Sequence, residues 1–425
     1  MIMSRRRALS LGVAASACAG LGAGCGNGTA ASADGTTTLW SWPGGLSEKV
    51  LADAVTQFAD RTELKVSVLS GDYKQQLLAV LDRDQDVPDI VGIKGEDIAS
   101  LLPRADRFVD LNTLGAAEVQ DEYLRWKWQQ GSTFDGRLVG FPIDIGPTAM
   151  FYRADLFRRA GLPDTPERVN TMMASWPKFL DVGRQLVKAV PSVRLLASGT
   201  QVFGLRMSQS PIRFVDASNH FVGDQQHVRA AWDCSVRLAD LGLSAKVQSD
   251  EEGWRAGIAG GKLAAELGAA WHALDIQQTA PDTAGLWRVA AGPAAGANSG
   301  GSFLAIPTAA HDPAQSFAVI RWLLSPENQA RAFVDAALFP STPAAYELPA
   351  MTQPEEFFGG QRTVEVFGES AKKAPRAYEA PSDAALNQVY ADELRSVETG
   401  TKAAAQGWQD AVAQARSLAT SLGVN

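Results

Sequence analysis

Hydrophobic and polar positions follow strand-like and helix-like periods in turn along the chain. The β-rich segment 37–42 ends at a Pro-Gly-Gly turn, and Leu64, Val66 and Val68 alternate with polar residues, so both segments predict strands. Between them, apolar residues at helical spacing predict a helix. The predicted elements are, in order, strand 37–42, helix 46–59, strand 64–68, helix 73–81 and strand 88–93. This alternation is typical of a parallel sheet with helices on its faces.

Similar patterns continue towards the C-terminus. Ser175 and Ser325 each stand before a segment with proline in its first turn, which is typical of a helix N-terminus. The further predictions are helix 176–190, helix 228–241, strand 263–267, helix 313–324, helix 326–333 and a mostly helical segment over 395–422. There is no internal repeat of solenoid period. The sequence therefore predicts an α/β protein.

Composition limits the classes of protein that fit. The chain has 425 residues, of which 46% are hydrophobic and 20% are charged. That length predicts two or three domains, and that composition excludes disordered and fibrous classes. The net charge is -8 and no basic patch stands out, which argues against nucleic acid as a partner. The longest apolar run is N-terminal, which excludes a multi-span membrane protein.

The N-terminus has the pattern of an export signal. Residues 4–7 (Ser-Arg-Arg-Arg) precede an apolar stretch over 8–23, as in a secretory signal peptide. The Arg5-Arg6 pair resembles a twin-arginine signal. A plain secretory signal and an uncleaved membrane anchor remain alternatives.

A lipid-attachment motif follows the apolar stretch. The small residues before Cys25 resemble a bacterial lipobox, which predicts that residues 1–24 are removed and Cys25 is lipidated. Leu21 stands four places before this cysteine, where a lipobox has leucine three places before, and Cys18 is an alternative. Residues 25–36 are small and polar and predict a flexible tether. Only Cys234 then remains in the folded body, so no disulfide is expected there.

A series of short motifs connects this sequence to a known family. Their order along the chain is 88–91 (PDIV), 138–143 (LVGFPI), 150–157 (MFYRADLF), 160–163 (AGLP), Trp176, 268–271 (GAAW), 300–307 (GGSFLAIP) and 322–329 (WLLSPENQ). In this order and spacing they resemble the extracellular solute-binding proteins of ABC importers, in the sugar-binding group that includes maltose-binding protein.

The resemblance implies a fold and a role. We expect a two-lobed periplasmic-binding-protein-like α/β fold whose lobes close on a ligand between them. The expected division is 37–145 plus 303–342 for lobe one and 146–302 plus 343–425 for lobe two, with chain crossings near 144–149, 300–302 and 339–344. The implied role is that of a monomeric receptor without enzymatic activity, metal or cofactor, which passes its ligand to the transmembrane permease.

A sugar site needs flat aromatic side chains for the C–H faces of the rings and polar groups for the hydroxyls. Trp42 ends the first strand, where ligands of open parallel sheets bind. Trp271 matches the stacking tryptophan of the family's second lobe. Tyr73 opens the second helix and either faces the cleft or packs in the core. The resemblance also suggests Tyr378 and Phe214 as ligand-contacting aromatics.

Polar candidates lie after the third strand and at the crossings. Charged groups form the stronger hydrogen bonds to hydroxyls. The polar candidates are Lys94, Glu96, Asp97, Asp144, Gly301 and Ser302. Glu96 and Asp97 are equally well explained as acidic residues at a solvated helix start. Gly301 and Ser302 are also explained by a hinge that requires small residues.

These features together predict a lipoprotein that binds a carbohydrate of two or more rings for import. The alternatives are a secreted glycoside hydrolase or lyase, and a receptor for a non-sugar ligand such as a polyamine or a phosphate ester. The four histidines lack metal-site spacing, and no nucleophile elbow occurs. The one glycine run that resembles a nucleotide loop lies almost wholly in the predicted leader.

Overall fold

A computed structural model describes residues 35–248, 251–375 and 377–425. The predicted signal peptide, the lipidation site at Cys25 and nearly all of the predicted tether lie outside the described residues. Within the described ranges, no helix is both long and apolar enough to cross a membrane.

In the part of the chain that the structure describes, ten strands form three sheets. The strands are β1 (Thr36–Ser41), β2 (Glu63–Val68), β3 (Ile90–Lys94), β4 (Phe141–Pro142), β5 (Asp144–Ile145), β6 (Thr148–Arg153), β7 (Ala265–Ala269), β8 (Trp287–Ala290), β9 (Ser302–Ala305) and β10 (Phe339–Pro340). The first sheet has the order β2-β1-β3-β9-β4, the second is the pair β10-β5, and the third has the order β7-β6-β8.

Sixteen α-helices surround these sheets within the described ranges. They are α1 (Glu48–Gln57), α2 (Tyr73–Arg83), α3 (Gly95–Leu101), α4 (Arg125–Gln130), α5 (Ala154–Arg159), α6 (Pro166–Met172), α7 (Trp176–Ala189), α8 (Gly199–Ser208), α9 (Gln226–Asp240), α10 (Glu252–Ala259), α11 (His272–Thr279), α12 (Pro313–Leu323), α13 (Pro326–Ala336), α14 (Thr363–Lys373), α15 (Asp383–Glu398) and α16 (Ala404–Ser421).

The first lobe is built around the five-stranded sheet. Strand β1 is parallel to β2 and β3, which confirms the predicted strand–helix alternation, and apolar side chains such as Leu39 and Ile90 are fully buried under the helices. Strands β9 and β4 are antiparallel to their neighbours. The sheet is therefore mixed, since these two strands belong to segments that lead to and from the other lobe.

The second lobe surrounds the antiparallel sheet β7-β6-β8. Met150 and Tyr152 on β6 belong to one buried cluster and Phe151 belongs to another, as the alternation of a strand requires. Helices α15 and α16 pack against α8 and α9. The mostly helical character predicted for 395–422 is confirmed, and the segment is divided between α15 and α16 because Gly400, with φ 82°, follows the end of α15 in a left-handed turn.

Three chain segments lie side by side between the lobes. Strands β5 and β10 pair through Ile145 and Phe339, and the Ser299 N–H donates to the Gly146 carbonyl at 2.8 Å. A Cβ atom on Gly146 would lie 1.8 Å from the Ser299 oxygen, so only glycine fits there. These segments coincide with the three predicted crossings, and the division of the whole chain into lobes stays a prediction.

Replacing Gly146 by alanine tests this close approach. The added methyl group would force residues 146 and 299 apart, and we expect a loss of about 1–3 kcal/mol in the free energy of unfolding. Gly204, in α8, is the matched control because a Cβ atom there would meet nothing within 4 Å. Urea unfolding of Gly146→Ala and Gly204→Ala measures both effects, and equal stability of the two variants would contradict the prediction.

Candidate functional site

The predicted polar residues of the first lobe converge where the crossing at 299–302 meets β3. Lys94 is the register partner of Ser302, and a Cβ atom on Gly95 would lie 2.0 Å from the Gly301 carbonyl oxygen. Gly300 and Gly301 have φ near +86° and +84°, a conformation that favours glycine. This turn brings the end of β3, the start of β9 and the crossing at Asp144 to one place between the lobes.

Trp271 stands on the second-lobe side of the same turn. It follows β7 directly, and its Nε1–H donates to the Ser299 carbonyl at 3.3 Å. The residue is 41% exposed, although its neighbour His272 is buried. The indole is therefore fixed by its polar edge while much of its ring remains accessible. An anchored, accessible indole is suited to stacking on the apolar face of a ligand.

Asp144 is buried at the base of this region. It is 4% exposed, and among the described residues its Oδ1 atom has no hydrogen-bond partner. Burial raises the pKa of Asp144, which the positive charge of Lys127 and the hydrogen-bonding groups of Ser302 oppose. A buried carboxylate oxygen without a protein partner can accept a hydrogen bond from a ligand hydroxyl.

Lys127 is the main residue that sequence reasoning missed. It lies on α4, is fully buried, and places its Nζ atom 3.5 Å from the centroid of the Phe303 ring. A Cβ atom on Gly301 would lie 3.0 Å from the same Nζ, so the ammonium group touches the crossing. Burial lowers the pKa of Lys127, and the negative charges of Asp144 and Glu379 oppose this shift. Its place between Trp126 and Trp128 was the only sequence signal that it is buried.

The first-lobe aromatic candidate Trp42 is half-buried beside the polar residues. Its ring centroid is 5.3 Å from that of Tyr73, and the Lys94 Nζ lies 5.6 Å from the Trp42 ring. Cβ atoms on Gly45 and Gly92 would each come within 2.7 Å of the indole. The glycines therefore let the Trp42 indole lie directly on the backbone at the end of the sheet.

The two acidic candidates of α3 have different surroundings. Asp97 forms an ion pair of 2.9 Å with Lys74, which supports the explanation as a charged helix start. Glu96 is exposed and contributes to the electrostatic environment of both Lys127 and Asp144. Of the two, Glu96 is therefore better placed to take part in the site.

Tyr73 and Phe214 are core residues, contrary to the prediction that they contact ligand. Tyr73 is 3% exposed, and its hydroxyl lies 2.9 Å from the Gly92 carbonyl oxygen, to which it can donate. Phe214 is 1% exposed and stacks on Tyr390 at a centroid distance of 5.0 Å. Each ring belongs to a buried cluster, because its side chain points into the protein core.

Tyr378 lies at the second-lobe edge of the region and is 40% exposed. Its backbone N–H donates to the Pro211 carbonyl at 3.1 Å, which joins the two segments. The next residue, Glu379, accepts a hydrogen bond from the Gln130 Nε2 atom of α4 at 2.9 Å. The lobes therefore touch directly beside Tyr378.

A partly buried cluster of ionisable groups lies next to Trp271. The His272 ring lies 3.2 Å from Asp275 and 3.4 Å from the fully buried Glu266. Burial would lower the pKa of His272, but the hydrogen bonds and charges of the two acids outweigh burial and raise the pKa to about 9. The imidazole is therefore protonated at neutral pH.

No group of three or more histidine, cysteine or acidic residues in the described ranges could hold a metal ion.

The His272 cluster predicts a pH dependence of stability. Because its folded pKa of about 9 exceeds the unfolded value of 6.5, the stabilisation is complete below pH 6.5 and is lost as the pH rises through 9. The linkage is worth about 3 kcal/mol. We expect His272→Gln to be less stable than the parent at pH 6 and for this difference to shrink by pH 10. Urea unfolding at both pH values measures it, and a pH-independent difference would exclude a protonated His272.

Comparisons with known proteins agree on one type of protein. A family model described as bacterial extracellular solute-binding protein matches residues 53–359. A lactose-binding protein from Rhizobium radiobacter is 25% identical over 366 residues, which cover 80% of this chain and 83% of that protein.

Solved structures agree with this. A protein described as extracellular solute-binding protein family 1 superposes with a TM-score of 0.84 at 27% identity, over 91% of this chain and 100% of that one. The galacto-N-biose-/lacto-N-biose I-binding protein of an ABC transporter from Bifidobacterium longum gives a TM-score of 0.76 at 16% identity, over 93% and 99% of the chains. The latter likeness supports the two-lobed fold alone.

Proposed function

Because this chain belongs to the family of bacterial extracellular solute-binding proteins, we propose that it captures a carbohydrate, of two or more rings, and delivers it to the permease of an ABC transporter. The protein binds this carbohydrate and releases it without making or breaking a covalent bond. The ligand stabilises the closed form because only that form contacts it from both lobes.

The observation that carries this proposal is that Trp271 and Asp144 both lie against the turn at 299–301. The indole offers an apolar ring, and the carboxylate offers an oxygen that has no hydrogen-bond partner among the described residues. Sugars present both an apolar C–H face and a rim of hydroxyls, so they match both groups at once.

The roles of the other residues follow from their positions. Trp42 and Lys94 form the first-lobe wall, Ser302 offers a hydroxyl at the crossing, and Tyr378 stands at the second-lobe rim. The relatives support a sugar ligand: one is named a lactose-binding protein and another was solved with lacto-N-biose. The number of accessible or half-buried aromatic candidates, Trp42, Trp271 and Tyr378, supports a ligand longer than one ring.

Replacing Trp271 by alanine tests the stacking role. Thermal unfolding of the exported protein against mono-, di- and oligosaccharides first identifies a ligand, because a compound that binds only the native state raises the midpoint. We expect Trp271→Ala to weaken the binding of that saccharide by about 10- to 100-fold, as for a central aromatic contact. Isothermal titration calorimetry measures the affinity.

The fully exposed Phe134 provides a matched aromatic control outside the site. Phe134→Ala should bind the saccharide as the parent does, and equal loss in both variants would exclude a specific role for Trp271. Recovery of the saccharide unchanged separates the receptor from the alternative glycoside hydrolase or lyase. If no saccharide raises the midpoint, the ligand is of the non-sugar class.

We further propose that the protein is exported by its N-terminal signal, acts as a monomer and is anchored to the outer face of the membrane through lipid on Cys25. The resemblance of residues 21–25 to a lipobox supports the anchor, and the family is extracellular.

Cell fractionation tests the anchor. The parent protein should appear in the membrane fraction, and Cys25→Ala should be released, because one lipid-modified residue supplies the attachment. Cys18→Ala is the matched control for the alternative motif and should stay with the membrane. Release of the Cys18→Ala protein but not the Cys25→Ala protein would move the lipidation site to Cys18.

A further inference from the structure

A continuous chain of polar contacts joins the two lobes beside the candidate site. The Lys127 ammonium donates to Gln130 Oε1 at 3.2 Å, and Gln130 Nε2 donates to Glu379 Oε2 at 2.9 Å. The other carboxylate oxygen of Glu379 accepts from the Arg213 guanidinium at 2.5 Å. Consecutive members of this chain of four residues are therefore joined by hydrogen bonds from a donor to a matching acceptor.

The two ends of this chain belong to different lobes. Helix α4 carries Lys127 and Gln130, and it leads into Gly131, where a Cβ atom would lie 2.3 Å from the Gly140 oxygen beside the first sheet. Arg213 precedes Phe214, which is buried in the cluster that α15 and α16 form with α8 and α9. The hydrogen bond between Gln130 and Glu379 must therefore break when the lobes separate.

Helix α4 makes a second contact with the other lobe. The Trp126 Nε1–H donates to the Ala371 carbonyl of α14 at 3.3 Å, and α14 packs on β6. Two points on one short helix thus hold the second lobe, and the buried Lys127 lies between them.

The burial of Lys127 depends on this arrangement. A fully buried ammonium group requires compensating charges. The compensating charges come from the crossing at Asp144, from Glu379 of the second lobe and from Glu96 of the first lobe. Separation of the lobes would remove Glu379 and admit water to Lys127, so closure and the pairing of this lysine occur together.

Arg213 orients the Glu379 carboxylate for its hydrogen bond with Gln130. This ion pair lies within the second lobe and does not need closure, so it holds the carboxylate in place before Gln130 arrives. Orienting the side chain in advance reduces the entropy lost when the lobes meet.

We propose that Lys127, Gln130, Glu379 and Arg213 form an inter-lobe latch that stabilises the closed form in the absence of ligand. The latch extends the proposed binding role, because a larger closed population raises the apparent affinity for any ligand that requires closure. It is tested without ligand, so its failure is separate from a failure of the carbohydrate proposal.

Two variants break the latch and one provides the control. Gln130→Leu removes both hydrogen bonds of the glutamine, and Glu379→Gln removes the one charge from the second lobe that compensates Lys127. Asp164→Asn is the matched control, since it also converts a carboxylate that pairs with an arginine, Arg158 at 2.7 Å, within a single lobe. All three are made in the exported chain carrying Cys25→Ala, so that no lipid is attached there.

Small-angle X-ray scattering and hydrogen exchange of ligand-free protein measure the closed population. We expect both latch variants to have a larger radius of gyration than the parent and about tenfold faster exchange in residues 125–130, since a hydrogen bond to a charged group is lost. Asp164→Asn should match the parent in both measurements. Far-ultraviolet circular dichroism identical to the parent would show that the variants are folded.

Three outcomes overturn the latch. The first is an unchanged radius and unchanged exchange in both variants. The second is faster exchange throughout the molecule, which would indicate general destabilisation. The third is an equal expansion of Asp164→Asn, which would mean that the effect comes from loss of any surface carboxylate.

Discussion

The candidate site depends on the close approach of residues 144–146 to residues 299–301. Neither Gly146 nor Gly301 has room for a Cβ atom, so two backbones lie in direct contact between the lobes. This contact places Asp144, Ser302 and the anchor of Trp271 within one small region. A bulkier residue at either glycine would separate the polar floor of the site from its aromatic wall.

Charge compensation at this contact follows from its burial. Lys127 and Asp144 are both nearly inaccessible, and neither charge would be tolerated alone in such a position. The lysine comes from α4 of the first lobe, the aspartate from a crossing and Glu379 from the second lobe. The charges that compensate one another at the site therefore come from both lobes and from a crossing between them. The latch is the part of this balance that spans the lobes.

Aromatic residues at similar positions in the sequence lie in the candidate site in one case and in the core in others. Trp271 is accessible because it caps the start of α11 just after a strand, where its indole edge is held by a carbonyl of the crossing. Tyr73 also begins a helix, but its side chain points under the sheet and its hydroxyl reaches a buried carbonyl. Phe214 lies beside the exposed Ile212 and is nevertheless fully packed against Tyr390. Sequence position alone does not distinguish these cases, since helix starts and loops can face either way.

The sequence by itself determined the strand and helix order of the first lobe and the family, because periodicity and short motifs are local properties of the chain. It also made Trp271 and Asp144 candidates for the site, because they stand at the end of a predicted strand and at an expected crossing. Only the tertiary structure decided that Gly400 separates two helices, that Tyr73 and Phe214 belong to the core, and that the buried charge of Lys127 is compensated by the charges of Asp144 and Glu379. Burial and charge compensation depend on how separate segments of the chain pack together, so they arise only when the lobes have folded and met.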